Sequence, residues 1–157
     1  MASRKIEDLT DTLQDLYYKF ESAMDEAGLP FVVTRTLCTA REQFALYAQG
    51  RCPLVITNHL REMADLPRIA EAENGRVVTW TLKSNHLPVY PSGKARAFDI
   101  VLLNGESKAN WDIKADVNEN EIPDYEEAGR IGEAIGLKWG GRFSTPDRPH
   151  FEGPAMA

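Results

Sequence analysis

The chain is short of the residue types that carry redox and metal chemistry. Cys38 and Cys52 are the only two cysteines among 157 residues. No disulfide framework is implied, and without a Cys-x-x-Cys pair nothing points to a thiolate zinc site. Free thiols in a reducing compartment are the expectation. Basic residues are outnumbered, 18 Lys and Arg against 24 Asp and Glu. The resulting net charge of −6 leaves no basic stripe for nucleic acid or an anionic membrane surface. No window approaches the roughly 18 consecutive apolar residues of a membrane span, so no membrane insertion is expected. The N-terminus, MASRKIEDLTDTLQD, is charged and amphipathic and lacks the apolar core of a secretory signal, which implies synthesis in the cytoplasm. Internal repeats and low-complexity linkers are also missing. What is present, 43% hydrophobic and 27% charged residues, suits one compact domain spanning 1–157, expected as a monomer.

Apolar periodicity sketches the elements. Ile6, Leu9, Leu13, Leu16, Tyr17, Phe20 and Met24 recur in steps of three and four, forming one stripe of a helix that Gly28-Leu29-Pro30 ends. Residues 31–36 (FVVTRT) read as a strand. Thr39 and Glu42 have capping-box spacing, predicting a helix over 41–49 with Phe44, Tyr47 and Ala48 inward and Gly50 beyond its end. The stretch 52–76 reads as an excursion on the same domain, with a short helix before Pro67 and a turn at EAENG. Val77 to Thr81 (VVTWT) and Phe98 to Leu103 have strand composition, and Asn104-Gly105 signals a hairpin turn. A last helix starts at Asp124, with Tyr125, Ala128, Ile131 and Ile135 inward, and short strands are expected at 138–139 and 150–152. The class is α+β, with a small, mostly antiparallel sheet flanked by helices.

Three histidines occur, His59, His86 and His150. His86 and Asp99 lie at the two ends of one Pro/Gly-bearing loop, and His150 heads the last strand in DRPHFE. Two imidazoles and a carboxylate that leave one position open make the donor set of a catalytic zinc site. Such a site needs a carboxylate outside the metal's ligands to move protons, and Asp147 fits that role. The residue types fit plainer readings equally: a hydrogen-bonded histidine beside a strand, an aspartate accepting from a turn, and a proline turn in DRPH.

Six blocks then occur in one order: LYAQGR at 46–51, VVTWT at 77–81, SNH at 84–86, ARAFDI at 95–100, GLKWGGRF at 136–143 and DRPHFE at 147–152. This series resembles the zinc D-alanyl-D-alanine carboxypeptidase family, in particular its phage branch of L-alanyl-D-glutamate endopeptidases, over roughly residues 31–152. The resemblance implies a Hedgehog/DD-peptidase-like zinc peptidase fold. The implied metal ligands are His86, Asp99 and His150, with Asp147 as general base and Ser84 supporting the loop. Trp139 and the two glycines after it would form the cleft floor. It also implies a peptidoglycan stem-peptide substrate, either an L-Ala-D-Glu or a D-Ala-D-Ala bond, and an endolysin that acts at the periplasmic cell wall after release by a holin-type partner. Three departures stand out. The His86–Asp99 loop is long, so Leu87 to Lys94 should bulge outward. The family's arginine before the LYAQGR helix falls on Cys38, leaving Arg35 or Arg41 to stabilise the oxyanion, with Arg35 favoured. The segment 52–75 is longer than the family's link and is expected to overhang the cleft.

Asp116, Asn118, Asn120, Asp124 and Glu127 stand at positions 1, 3, 5, 9 and 12 of a calcium loop, although Glu121 replaces the glycine of position 6. The same residues also read as an acidic surface loop capping the helix at Asp124. Two rival functions remain: a non-catalytic wall-binding module, suggested by Cys38, and a closed structural zinc site with His59 or a cysteine as fourth ligand.

Overall fold

The computed structural model describes residues 1–154. Its elements are α1 (Asp11–Glu26), β1 (Phe31–Arg35), α2 (Ala40–Ala48), α3 (Leu54–Met63), α4 (Glu71–Asn74), β2 (Ala97–Leu103), β3 (Ala109–Asn110), α5 (Asp124–Ala134), β4 (Lys138–Trp139) and β5 (His150–Glu152). The strands form one antiparallel sheet in the order β1-β2-β5-β4, with β3 paired to β2 beyond the Asn104-Gly105 turn. The α+β expectation holds.

Side-chain alternation along β2 divides the molecule into two sides. Phe98, Ile100 and Leu102 point to one face, where they meet Leu9, Leu13, Tyr17, Phe20 and Met24 of the N-terminal region and Tyr125 and Ala128 of α5. Phe98 is paired with Phe151 across β2 and β5, their rings stacked at 5.5 Å, and Phe20 leans on Phe151 at 4.8 Å. Each such fully buried ring contributes about 1.5–3 kcal/mol, which anchors the sheet's register against a slip. Asp99 must then point to the opposite face, and its direct partner His150 points there with it.

Several elements depart from the sequence reading. The N-terminal stripe is broken at Leu9-Thr10: residues 6–8 form a separate 3-10 turn, because Leu9 makes a parallel bridge to Ala95. In α2 the Thr39 hydroxyl accepts from the Glu42 amide, but Glu42 turns its carboxylate towards Arg35 instead of completing the box. Phe44 is 51% exposed, not inward, since the buried side of α2 carries Glu42 and Gln43, which bond to polar groups beneath. EAENG is a short helix, α4, rather than a turn. Residues 77–81 are not a strand. At the level of Asp99 both edges of β2 are taken by β1 and β5, and the VVTWT run lies instead against α2, held by side chains.

Candidate active site

The residues at the site come from three strands and one loop. Arg35 of β1, Asp99 of β2 and His150 of β5 are register partners, a row across the sheet on the face away from the core. His86 reaches the end of that row from its loop. Its own carbonyl accepts from the Cys38 amide at 2.9 Å, and its Nδ1 lies 2.6 Å from the Thr36 carbonyl. Ser84 Oγ accepts from the His86 amide at 3.2 Å, so it supports the loop. Leu87 to Lys94 does bulge outward, with Tyr90 almost fully exposed.

The proton positions follow from the partners. A carbonyl only accepts, so His86 Nδ1 carries the hydrogen and Nε2 presents a lone pair. His150 Nε2 lies 3.0 Å from the Glu152 carboxylate. Burial alone would raise Glu152, but hydrogen bonds from His150 and Asn85 bring it down to about 2. Glu152 is thus ionised, and His150 Nε2 must donate to it, leaving Nδ1 to face the site. His86 Nε2, His150 Nδ1 and Asp99 Oδ1 form a triangle with sides of 3.1, 3.3 and 2.8 Å. Among the described residues this is the one group of three such donors gathered closely enough to hold a metal ion.

Three electron-pair donors at these distances need a cation between them. Any two ligand atoms of tetrahedral zinc at its usual bond lengths are about 3.3 Å apart, close to the triangle found here. In the metal-free protein a proton serves instead. Burial pulls His150 down, but its hydrogen bonds to Asp99 and Glu152 overcome this and raise it to about 9. Asp99 is pushed up by burial, yet the bonds from His150 and His86 hold it well below the usual carboxylate range. The donor set fits zinc by type, geometry and charge.

The triangle opens into a cleft of about 640 Å³ that Arg35, Asp147, Trp80 and Trp111 also line. Asp147 is exposed along one side, and its carboxylate accepts no protein hydrogen bond among the described residues. It is raised above the ordinary range, first by the protein packed round it; Asp99 adds to this, while His150 pulls against it. Gly140 makes this arrangement possible: a Cβ there would lie 2.4 Å from the Asp147 carbonyl and 3.0 Å from His150 Cβ. Arg35 Nη2 reaches Gln43 at 3.3 Å, and its buried Nε has no protein partner.

Residues 77–153 match the family model described as D-alanyl-D-alanine carboxypeptidase. The match covers 77 of the 157 residues and gives this segment its likeness to that peptidase family. The matched residues include all three donors and Asp147. Among solved structures the chain is similar to the crystal structure of Serratia marcescens L-Ala D-Glu endopeptidase ChiX, at 18% identity and a TM-score of 0.54. That likeness, a likeness of fold, covers 98% of this chain and 89% of the other. No curated protein sequence matches the chain.

Other expected positions fall away from the peptidase cleft. His59 is exposed on α3, and both cysteines are free thiols, Cys38 buried and Cys52 half-buried, neither within the donor group. The 52–75 segment does not overhang the cleft: α3 and α4 pack beside α2, where Arg61 bonds Gln49 and Asn74 bonds the Cys52 carbonyl, and none of these residues lines it. Trp139 is core rather than cleft floor. It is 1% exposed, and its indole N–H donates to the Arg148 carbonyl at 2.8 Å, fixing the loop before His150. The 116–127 loop is built from its own hydrogen bonds, not as a calcium cage. Asp116 accepts from the Asn120 and Glu121 amides, Asp124 from Val117, and Glu127 from the Asn118 and Asn120 side chains. Asp116, Asp124 and Glu127 are not gathered as a metal-binding group, which leaves the calcium expectation without support.

Two residues of the site escaped the sequence reading. Glu152 carried a signal, since on a strand it shares a face with His150 two positions earlier. Gln43 carried none. Its burial beneath the VVTWT run depends on how α2 sits.

Proposed function

We propose that the protein is a zinc metallopeptidase that hydrolyses peptide bonds in peptidoglycan stem peptides, with His86, Asp99 and His150 as the metal ligands. The observation that carries this reading is the triangle of two imidazole lone pairs and one ionised carboxylate at the base of an open cleft. The match of residues 77–153 to the carboxypeptidase family model supports the substrate class, and the fold likeness to an L-Ala D-Glu endopeptidase supports an internal bond as an alternative to the terminal one. A zinc ion held by these residues supplies Lewis acidity towards the scissile carbonyl and lowers the pKa of water.

The chain's own groups do the rest. The Asp147 carboxylate takes a proton from the attacking water and returns it to the leaving amine, and burial, by raising it above the ordinary range, makes it a better proton acceptor than a free aspartate. Arg35, which lines the cleft beside Asp99, donates to the developing oxyanion. Glu152 and the Thr36 carbonyl hold the two rings in their required tautomers. As the phage-branch resemblance implies, the proposed setting is an endolysin, made in the cytoplasm and released to the wall by a separate membrane-permeabilising partner.

Mass analysis of muropeptides from purified sacculi tests the reading and identifies the bond. Zinc-loaded protein should release new amino termini, and chelation should stop it. Asp147→Asn should lower kcat by about 10²–10⁴-fold while zinc stays bound at one per chain. Sacculi bound but not cut, with Asp147→Asn indistinguishable from the unaltered protein, would instead favour a wall-binding module.

A further inference from the structure

The VVTWT run forms one wall of the cleft, and its backbone is unusual. Residues 77–83 make no backbone–backbone hydrogen bond among the described residues. Burial alternates along the first four positions, Val77 and Thr79 half-buried, Val78 and Trp80 exposed at 50% and 69%. The anchored groups belong to the odd positions. Gln43 Nε2 donates to the Thr81 carbonyl at 2.7 Å and to Thr79 Oγ1 at 3.2 Å, and Arg51 Nη1 donates to the Thr79 carbonyl at 3.1 Å. Gly50 holds the start of the run: a Cβ there would sit 2.7 Å from the Val77 amide nitrogen.

The scaffold therefore ties down the Thr79 and Thr81 carbonyls and packs Gly50 against Val77, whereas the N–H and C=O of Val78 and Trp80 have no protein partner among the described residues. Successive residues of an extended chain offer their backbone groups to opposite edges. An edge with one side tied down and the other unpaired is a template for another extended peptide, which gains main-chain bonds on pairing. Trp80 adds an exposed ring beside that edge, and Trp111, 57% exposed, lines the same cleft. Gln43 connects the run to the site, because its Oε1 accepts from Arg35 while its Nε2 holds Thr79 and Thr81.

We propose that the Val78–Trp80 backbone receives the substrate's peptide backbone as an added strand, setting its position relative to the metal-site residues, with Gln43 as the positioning residue that holds the receiving edge. This rests on the peptidase reading above and deepens it. Recognition of this kind reads the substrate's amides rather than its side chains, which suits a stem peptide of mixed chirality and small residues. Val78 is the pairing residue, and the bend at Trp80 limits the pairing to about one residue pair, about two hydrogen bonds.

The test uses the zinc-loaded chain and a synthetic stem pentapeptide, L-Ala-γ-D-Glu-diaminopimelate-D-Ala-D-Ala, which contains both candidate bonds. Val78→Pro removes one donor and should raise KM about three- to tenfold, with the loss falling on KM rather than kcat. Gln43→Ala should raise KM similarly, and Gln43→Glu should recover little, because a carboxylate cannot donate to the Thr81 carbonyl. Amide hydrogen exchange avoids the risk that these variants misfold. In Asp147→Asn protein the Val78 amide should exchange fast without peptide and become protected at saturation. Fast exchange at the Val78 amide under saturating peptide would overturn the inference, as would an unchanged KM in a folded Val78→Pro protein. If the unaltered protein cuts sacculi while these results are negative, only the inference falls. If it neither cuts nor binds the pentapeptide, the peptidase reading falls with it.

Discussion

Replacing Glu152 by glutamine separates two things that this carboxylate does to His150. It accepts the Nε2 hydrogen at 3.0 Å, which turns Nδ1 towards Asp99 and His86, and its charge helps to raise His150 to about 9 in the metal-free protein. At pH 7 zinc must displace that proton, a penalty of about two pH units, or ~2.7 kcal/mol in affinity. Glutamine keeps an acceptor oxygen but removes the charge. The ring becomes a poorer ligand, for which the usual loss is about 10–100-fold in metal affinity. It also binds its competing proton less tightly, which offsets part of that loss below pH 9. The full loss is therefore expected at about pH 9.5, where the proton no longer competes, and a smaller one at pH 7. The slope of log affinity against pH between 7 and 9 should flatten in the variant. Competition with a chromophoric chelator across that range measures both. Equal affinity of the two proteins at pH 9.5, or a loss that does not change with pH, would refute the reasoning.

Further outcomes follow from the same geometry. Because His150 is raised above its unfolded value of 6.5 to about 9, the stability it gives the metal-free protein is present in full below about pH 6.5 and disappears as pH rises through about 9. Thermal melts of chelator-treated protein should thus fall in Tm across that interval, while the zinc-loaded protein, whose metal affinity rises over the same range, should not. Gly140→Ala places a methyl group 2.4 Å from the Asp147 carbonyl and should cost about 1–3 kcal/mol in denaturant unfolding, with reduced zinc affinity as the loop carrying His150 shifts. Phe98→Ala opens the core at its centre and should cost about 3–5 kcal/mol by the same assay.

Much of this molecule could be read along the chain because the signals are local. Helix periodicity located α1 and α5, the Thr39 cap located α2, and the apolar run around Asp99 located β2. That run also contained the site's logic. In AFDIVLL one charged residue interrupts a buried strand, and alternation puts it on the face opposite Phe98 and Ile100. The spacing of His86, Asp99 and His150 suggested a shared ion without requiring one, since residues 13 and 51 positions apart along the chain meet only if the sheet forms in the right register.

What depended on tertiary structure was each group whose role comes from a neighbour distant in sequence. VVTWT has strand composition, yet β2 had no free edge left for it at the level of Asp99, so it became a wall held by Gln43 and Arg51. Trp139 and Phe44 exchanged the expected places, one into the core and one onto the surface, because helix packing chooses which face is covered. Local sequence determines which backbone conformations are favourable and which side chains share a face. Pairing across the sheet then decides which lone pairs meet, and that is where the chemistry of this site arises.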